Sequence, residues 1–328
     1  MKYINIEKFL KPNIYFNFFV GGRGVGKSYS TGKKCFKDKG NFLYLRTTST
    51  ELDVACDSNV FNMVDSTKCQ RINEHIWGIY QKDKLRGYGC ALSTFKNIRG
   101  VNFEDVDLIF QDEFIPEINS RKIIRDEATA WFNMLESVNR NRELKGQKPA
   151  VYIGCANANE IYNPYFIELG LIEQLEECLN NGSRVFVDRD RSLQIVMLEA
   201  SEEFKREKAR TVLYKLASGT KYEQMALNNE FSFNDFSNIG IRSLKGYEPI
   251  VQFSEFILWK KKNQNLYVVK KNNGSQFRIF YNISDDIEKN LFVRNFKETF
   301  YEAFLNKQIS FENYSAKRKT FDIFKLKC

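Results

Sequence analysis

Histidine, proline and paired cysteines are scarce in this 328-residue chain, which holds one histidine, five prolines and seven cysteines, none of them in a CxxC pair. A lone His75 with unpaired cysteines does not make a zinc site. The odd cysteine count predicts reduced thiols in a cytoplasmic compartment. No apolar run approaches the roughly 20 residues a membrane-spanning helix requires, and even the apolar run Tyr15–Val20 ends in glycines. The opening MKYINIEKFLKPN lacks the pattern of a signal peptide. Internal repeats and low-complexity stretches are also missing, which excludes solenoids and disordered tails.

The composition that is present, 43% hydrophobic and 28% charged, is that of a soluble globular protein with room for two domains. The net charge of +9 is modest, and it is uneven. Residues 229–328 carry 17 Lys/Arg against 11 Asp/Glu, so the last third is the more basic part and a polyanion is a reasonable partner.

Short apolar runs at Tyr15–Val20, Phe42–Arg46, Asp107–Gln111, Ala150–Cys155 and Leu193–Leu198 alternate with helical stretches, the pattern of an α/β domain built on a mostly parallel sheet. Between Arg121 and Val138 the residues Ile124, Ala128, Trp131, Leu135 and Val138 recur every three or four positions, predicting a helix packed on that sheet. Ser201–Ser218 reads as a charged amphipathic connector helix capped by Ser201. After Phe231, strands at Pro249–Trp259, Leu266–Val269 and Gln276–Ile283, with turns at 263–265 and 272–274, predict an antiparallel meander plus helices, hence a second domain. The boundaries that follow are 1–199, a connector at 200–230, and 231–328.

Gly21-Gly22-Arg23-Gly24-Val25-Gly26-Lys27-Ser28 matches the P-loop pattern GxxxxGK[ST], after a strand and before a helix. Its glycines let backbone N–H groups turn toward phosphates, and the helix N-terminus adds positive potential. Lys27 then bridges the terminal phosphates of ATP, and the Ser28 hydroxyl is a ligand for Mg2+. A second carboxylate centre closes the strand Val106–Gln111: Asp112, for the metal shell, and Glu113, to polarise the attacking water, form a Walker B pair suited to hydrolysis. Gln111 replaces an expected apolar residue there and predicts an open sheet face near the strand tip. Asn157 ends another apolar strand, where it senses the γ-phosphate or makes an ordinary turn. Arg140 and Arg142 follow the amphipathic helix, placed either to reach a neighbouring subunit's nucleotide as an arginine finger or to cap the helix.

GGRGVGKSYS at 21–30, FLYLR at 42–46, FQDEFIPE at 110–117, SVNRNRE at 137–143, ANANEIYNPYF at 156–166 and SGTKYEQMALNNEF at 218–231 together resemble the phi29-type bacteriophage DNA-packaging ATPases. The resemblance implies a terminase-like viral genome packaging motor subunit. It would comprise an additional-strand, catalytic-glutamate (ASCE) ATPase domain, a small helical linker domain, and an α+β C-terminal domain like the RNase H-fold nucleases, assembled as a homopentameric ring. It assigns Lys27 and Ser28 to Walker A, Asp112 and Glu113 to Walker B, Arg140 to the arginine finger acting in trans, and a further trans-acting role to Arg99. The implied partners are double-stranded DNA, the portal of the viral procapsid and a prohead-type RNA, met in the host cytoplasm with transient residence on the procapsid. Where the family has a basic loop after the second strand, this chain has Thr47-Thr48-Ser49-Thr50-Glu51, so a DNA grip is not carried over to that loop.

An active two-metal nuclease needs several converging carboxylates. The last domain offers Glu255 on its first strand and the pair Asp285-Asp286, amid Lys260-Lys261-Lys262, Lys270-Lys271 and Arg278. Those residues favour a domain that binds nucleic acid rather than cutting it. Two other functions fit the same residues: another ring translocase or helicase, which would prefer single strands, and an ATP-gated nucleic-acid-binding assembly factor, which would turn over slowly.

Overall fold

The computed structural model describes residues 3–98, 100–115, 124, 126–157, 161, 163–220, 238–262, 265–270 and 279–324. It divides into two units, Met1–Leu171 with Glu177–Phe233, and Ile172–Glu176 with Asn234–Cys328.

Among the described residues of the first unit, nine strands form one sheet: β1 (Phe16–Gly21), β2 (Asn41–Arg46), β3 (Thr67–Arg71), β4 (Ile76–Gln81), β5 (Lys84–Ala91), β6 (Val106–Asp112), β7 (Val151–Asn157), β8 (Val185–Asp188) and β9 (Leu193–Leu198). Their order is β3-β4-β5-β2-β6-β7-β1-β9-β8. The central strands β5, β2, β6, β7, β1 and β9 pair in parallel, while β3, β4 and β8 join antiparallel at the edges. Among the described residues the helices before the second sheet are α1 (Lys27–Lys37), α2 (Ser49–Asp57), α3 (Glu127–Asn139), α4 (Pro164–Glu168), α5 (Ile172–Asn180), α6 (Glu202–Ala209) and α7 (Val212–Leu216), of which α5 is divided, Ile172–Glu176 counting with the second unit.

The central strands are apolar almost throughout because both faces are covered. On β1, Phe18 faces Trp131 of α3, Phe114, Tyr152 and Phe166 at ring separations of 5.2 to 5.9 Å. Its neighbour Phe19 joins the opposite cluster with Cys35 and Phe36 of α1 and with Phe42 and Tyr44, as the two-residue strand period requires. The polar Asn17 is fully buried and satisfied: its amide donates to the carbonyls of Ile14 and Tyr152 and accepts from Gln194 at 2.7 Å.

All five expected strands of this unit are present within a residue or two, and Trp131 packs on the sheet as the apolar stripe predicts. The hairpins of β3–β5 add to the five expected strands: β3, TKCQR, is a mostly exposed edge strand without an apolar run, whereas β4, IWGIYQ, is a buried apolar run that those five omit. Helix α3 starts at Glu127, later than Arg121, with Asp126 as its cap. The connector is two helices rather than one, because the chain breaks at Arg210-Thr211 and Thr211 starts a second turn; Ser201 does cap the first. Thr48 and Glu51 form a reciprocal capping box on α2, which accounts for those residues after β2.

Gln111 corrects another expectation. It is fully buried, not at an open face. Tyr152 donates to its carbonyl at 2.8 Å, its amide donates to Tyr165 at 2.9 Å, and Tyr165 donates onward to Glu127 at 2.8 Å, so a polar residue is tolerated because both ends of its amide are hydrogen-bonded.

In the second unit, β10 (Tyr247–Phe253), β11 (Phe256–Lys261), β12 (Leu266–Lys270), β13 (Phe280–Tyr281) and β14 (Ile309–Phe311) are ordered β13-β10-β11-β12-β14. The expected strand Pro249–Trp259 is in fact a hairpin turning at Ser254-Glu255, where Ser254 has φ +47°. The meander β10–β11–β12 is antiparallel, but β13 and β14 flank it in parallel, so the sheet is mixed. Helices α8 (Asp286–Leu305) and α9 (Tyr314–Phe324) cover it, with Phe300 and Phe324 stacked at 4.2 Å. The turns at 272–274 and most of 263–265 lie outside the described residues.

Candidate functional site

The turn from β1 into α1 carries the residues 21–28. Gly24 has φ +82° and Gly26, at the helix N-cap, has φ +100°, a region side chains resist. No side chain caps α1, and Gly24, Gly26, Lys27 and Ser28 line a cavity of about 470 Å³. The neighbouring strands decide what else reaches it. Because β7 lies between β1 and β6, the tips of β6 and β7 bring Asp112, Glu113 and Asn157 to the same cavity as Lys27 and Ser28.

The buried Lys27 ammonium donates to the carbonyls of Gly21 and Gly22, both at 2.8 Å. Burial lowers its pKa to about 8, against the pull of Cys155, Asp112 and Glu113. Ser28 Oγ donates to Asp112 Oδ1 at 2.7 Å, so the hydroxyl and the carboxylate share one spot. Burial raises the Asp112 pKa, opposed by the Ser28 hydrogen bond and by Arg46. The Cys155 thiol, under Thr31 at 3.3 Å, is pushed up to about 12 by burial and is chemically quiet at neutral pH. Glu113 differs from Asp112: its side chain is 54% exposed, its φ is +56°, and it is ion-paired to Arg46 at 2.6 Å.

Arg23, Gly24, Gly26 and Asn157 line this cavity, and Val25 is buried. Arg140 does not line it. Arg140 is exposed after α3 with φ +42°, donates to the carbonyls of Ser137 and Val101, and borders a separate cavity with Asn133, Glu136 and Asn141. Arg142 corrects the expectation of a trans-acting cation. It is buried and committed to the Val106 and Glu104 carbonyls and to Asp107 Oδ1 at 2.8, 3.1 and 2.7 Å, so its guanidinium braces the base of β6. Arg99, Lys271 and Arg278 lie outside the described residues.

In the second unit Glu255 occupies a turn, and Asp285 accepts from the N–H groups of Ile287 and Glu288 as the cap of α8. Lys260, Lys261 and Lys262 are exposed.

Sequence reasoning missed Arg46, Tyr3, Tyr29 and Lys208. Arg46 ends the apolar run FLYLR, but only the pairing of β2 with β6 places it beside Asp112. Lys208 comes from α6 to donate to the Arg23 carbonyl at 2.8 Å. Tyr3 and Tyr29 line the cavity with no motif to flag them.

Residues 1–328 match the family described as podovirus DNA encapsidation protein (Gp16). The DNA packaging protein of Bacillus phage PZA is 28% identical over 98% of this chain and 97% of its own length, and that of Bacillus phage phi29 is 27% identical over the same shares. A chain of the bacteriophage phi29 viral genome packaging motor assembly superposes with a TM-score of 0.67 over 98% of both chains, at 23% identity. The crystal structure of the N-terminal domain of the DNA packaging ATPase from bacteriophage phi29 matches with a TM-score of 0.50 and 27% identity, over 61% of this chain and 98% of that one.

Proposed function

The chain belongs to the podovirus DNA encapsidation protein family, and from that premise we propose that it is an ATPase whose subunits form a ring, expected to be a homopentamer, that drives double-stranded DNA into a preformed viral capsid. The observation that carries this reading is the convergence of Lys27, Ser28, Asp112 and Glu113 on one cavity at the tips of the parallel strands β1 and β6, on either side of β7.

The P-loop reading is supported by donor chemistry. Lys27 donates to two carbonyl oxygens, which terminal phosphates can replace, and Ser28 and Asp112 present two oxygens 2.7 Å apart that suit a common Mg2+ ion. Magnesium bound there would neutralise charge on the terminal phosphates. Glu113, once parted from Arg46, orients and deprotonates a water, and Asn157 hydrogen-bonds near the γ-phosphate. Arg140, which does not border its own subunit's nucleotide cavity, is the finger for a neighbouring subunit. The ATPase, connector and RNase H-like divisions at 1–199, 200–230 and 231–328 belong to the same reading, supported for the last by its α+β class and by the exposed Lys260–Lys262. That basic edge takes a phosphate backbone, from DNA or a prohead-type RNA, and portal docking would place it at the procapsid.

Turnover with duplex DNA tests the reading. Glu113→Gln should reduce ATP hydrolysis at least about 100-fold while ATP binding persists, and DNA binding should weaken steeply with salt without regard to base sequence. Stimulation by single strands but not by duplex would favour a helicase, and turnover indifferent to DNA would favour an assembly factor.

A further inference from the structure

Two chemistries line the cavity beside the 21–28 loop. Charged and polar groups suit phosphates and a metal, whereas Tyr3 and Tyr29 are the aromatic rings among the described lining residues. Phosphate-binding groups cannot tell one nucleoside triphosphate from inorganic tripolyphosphate. A base must be held elsewhere.

The backbone around Gly26 places the two tyrosines. The Ile4 N–H donates to the Val25 carbonyl at 3.0 Å, and the Ile6 N–H donates to Ser30 Oγ at 3.0 Å, with the Ile6 side chain fully buried. Those bonds lash residues 4–6 to both sides of Gly26 and lay Tyr3 against it. A Cβ on Gly26 would stand 2.6 Å from Tyr3 Cβ, so glycine is required there for the approach as well as for its φ. Tyr29, one residue after Ser28, meets Tyr3 at a ring separation of 5.0 Å and a 42° tilt, while the Lys33 ammonium sits 4.6 Å from the Tyr29 centroid. Yet Tyr3 remains 47% exposed and Tyr29 36%. Two anchored rings left open to a phosphate-binding cavity form a preorganised π-surface, which is the partner a flat heteroaromatic base seeks.

The geometry points to the Tyr3–Tyr29 pair as a base subsite that stacks on the nucleobase of a bound nucleoside triphosphate and supplies the affinity that the phosphates do not. This inference rests on the nucleotide reading given under Proposed function. It also explains why the segment before β1 is tied down where it is. The strap that carries Tyr3 is bonded to the phosphate loop itself, so base and phosphate contacts stiffen one loop.

Calorimetric titration of the full chain with Mg-ATP and, separately, with inorganic tripolyphosphate and magnesium separates the possibilities. Tyr3→Ala and Tyr29→Ala should each weaken ATP by about 5-fold to 150-fold, the range for loss of one aromatic–base stack. Tripolyphosphate binding should stay within about twofold, and Tyr3→Phe should behave as the unmutated protein. If both alanine variants bind ATP as tightly as the unmutated protein, the subsite is refuted and the nucleotide reading stands. Parallel loss of ATP and tripolyphosphate affinity would also refute it, showing that the tyrosines only brace the loop. If the unmutated protein binds neither ligand, the nucleotide reading falls and this inference falls with it. Thermal melting identifies any variant that fails to fold, in which case Tyr3→Phe compared with Tyr3→Leu repeats the test with side chains that keep the strap packed.

Discussion

Arg46 holds Glu113 from the neighbouring strand tip, with Nη2 2.6 Å from Oε2, while its Nη1 lies 3.7 Å from Asp112 Oδ2. The Arg46 side chain is 12% exposed but that of Glu113 is 54% exposed, so the pair opens to solvent on the Glu113 side. Glu113 holds this pose with a left-handed φ of +56° that non-glycine residues adopt at a cost. On the hydrolytic reading proposed above, this pair ties up the carboxylate that would orient the water. Arg46→Ala should raise DNA-free ATP turnover several-fold, read as phosphate release at saturating ATP. A drop below the unmutated rate would mean that Arg46 supports the site instead of restraining it.

Lys27 gives the site a pH dependence. Burial lowers its pKa from 10.5 to about 8. Between those values the unfolded chain holds the proton and the folded chain does not, so this group makes stability rise with pH across that window. On the proposed nucleotide reading, ATP binding should run the other way, because the triphosphate would need the ammonium. Above pH 8 the affinity for ATP should fall by up to about tenfold per pH unit, and Lys27→Arg should flatten the profile. Titrations at pH 7, 8 and 9 decide it.

Arg140 should matter only between subunits. Arg140→Ala is expected to cut turnover by about 10³-fold or more, as for other arginine fingers, with ATP binding retained. Mixing it with Glu113→Gln should restore part of the activity, since some interfaces then pair an intact Glu113 with an intact Arg140. No recovery in confirmed mixed rings would place Arg140 outside trans catalysis.

The Tyr152–Gln111–Tyr165–Glu127 chain should be a stability feature. Tyr165→Phe removes the hydroxyl that accepts from Gln111 and donates to Glu127, leaving two buried polar groups each one hydrogen bond poorer. The expected loss is about 1–3 kcal/mol, read from denaturant unfolding of the first unit. A change under about 0.5 kcal/mol would mean that the amide and carboxylate find other partners.

The residues alone determined the local chemistry and much of the sheet. Gly21–Ser28 must turn tightly and expose N–H groups whatever surrounds them, and five apolar runs too short for buried helices had to become covered strands. What they could not contain was order across the sheet, because strand neighbours are chosen by packing and not by distance along the chain. Only the order β2-β6-β7-β1 brings Arg46 to Glu113 and Asp112 to Ser28, 84 residues away. The same limit explains Gln111, polar in sequence yet buried, since its partners Tyr152 and Tyr165 lie 41 and 54 residues distant. It explains Arg142, which reads as a free cation after a helix but is spent on the base of β6. Side-chain identity sets what each group can do, and tertiary packing decides which groups remain free to do it.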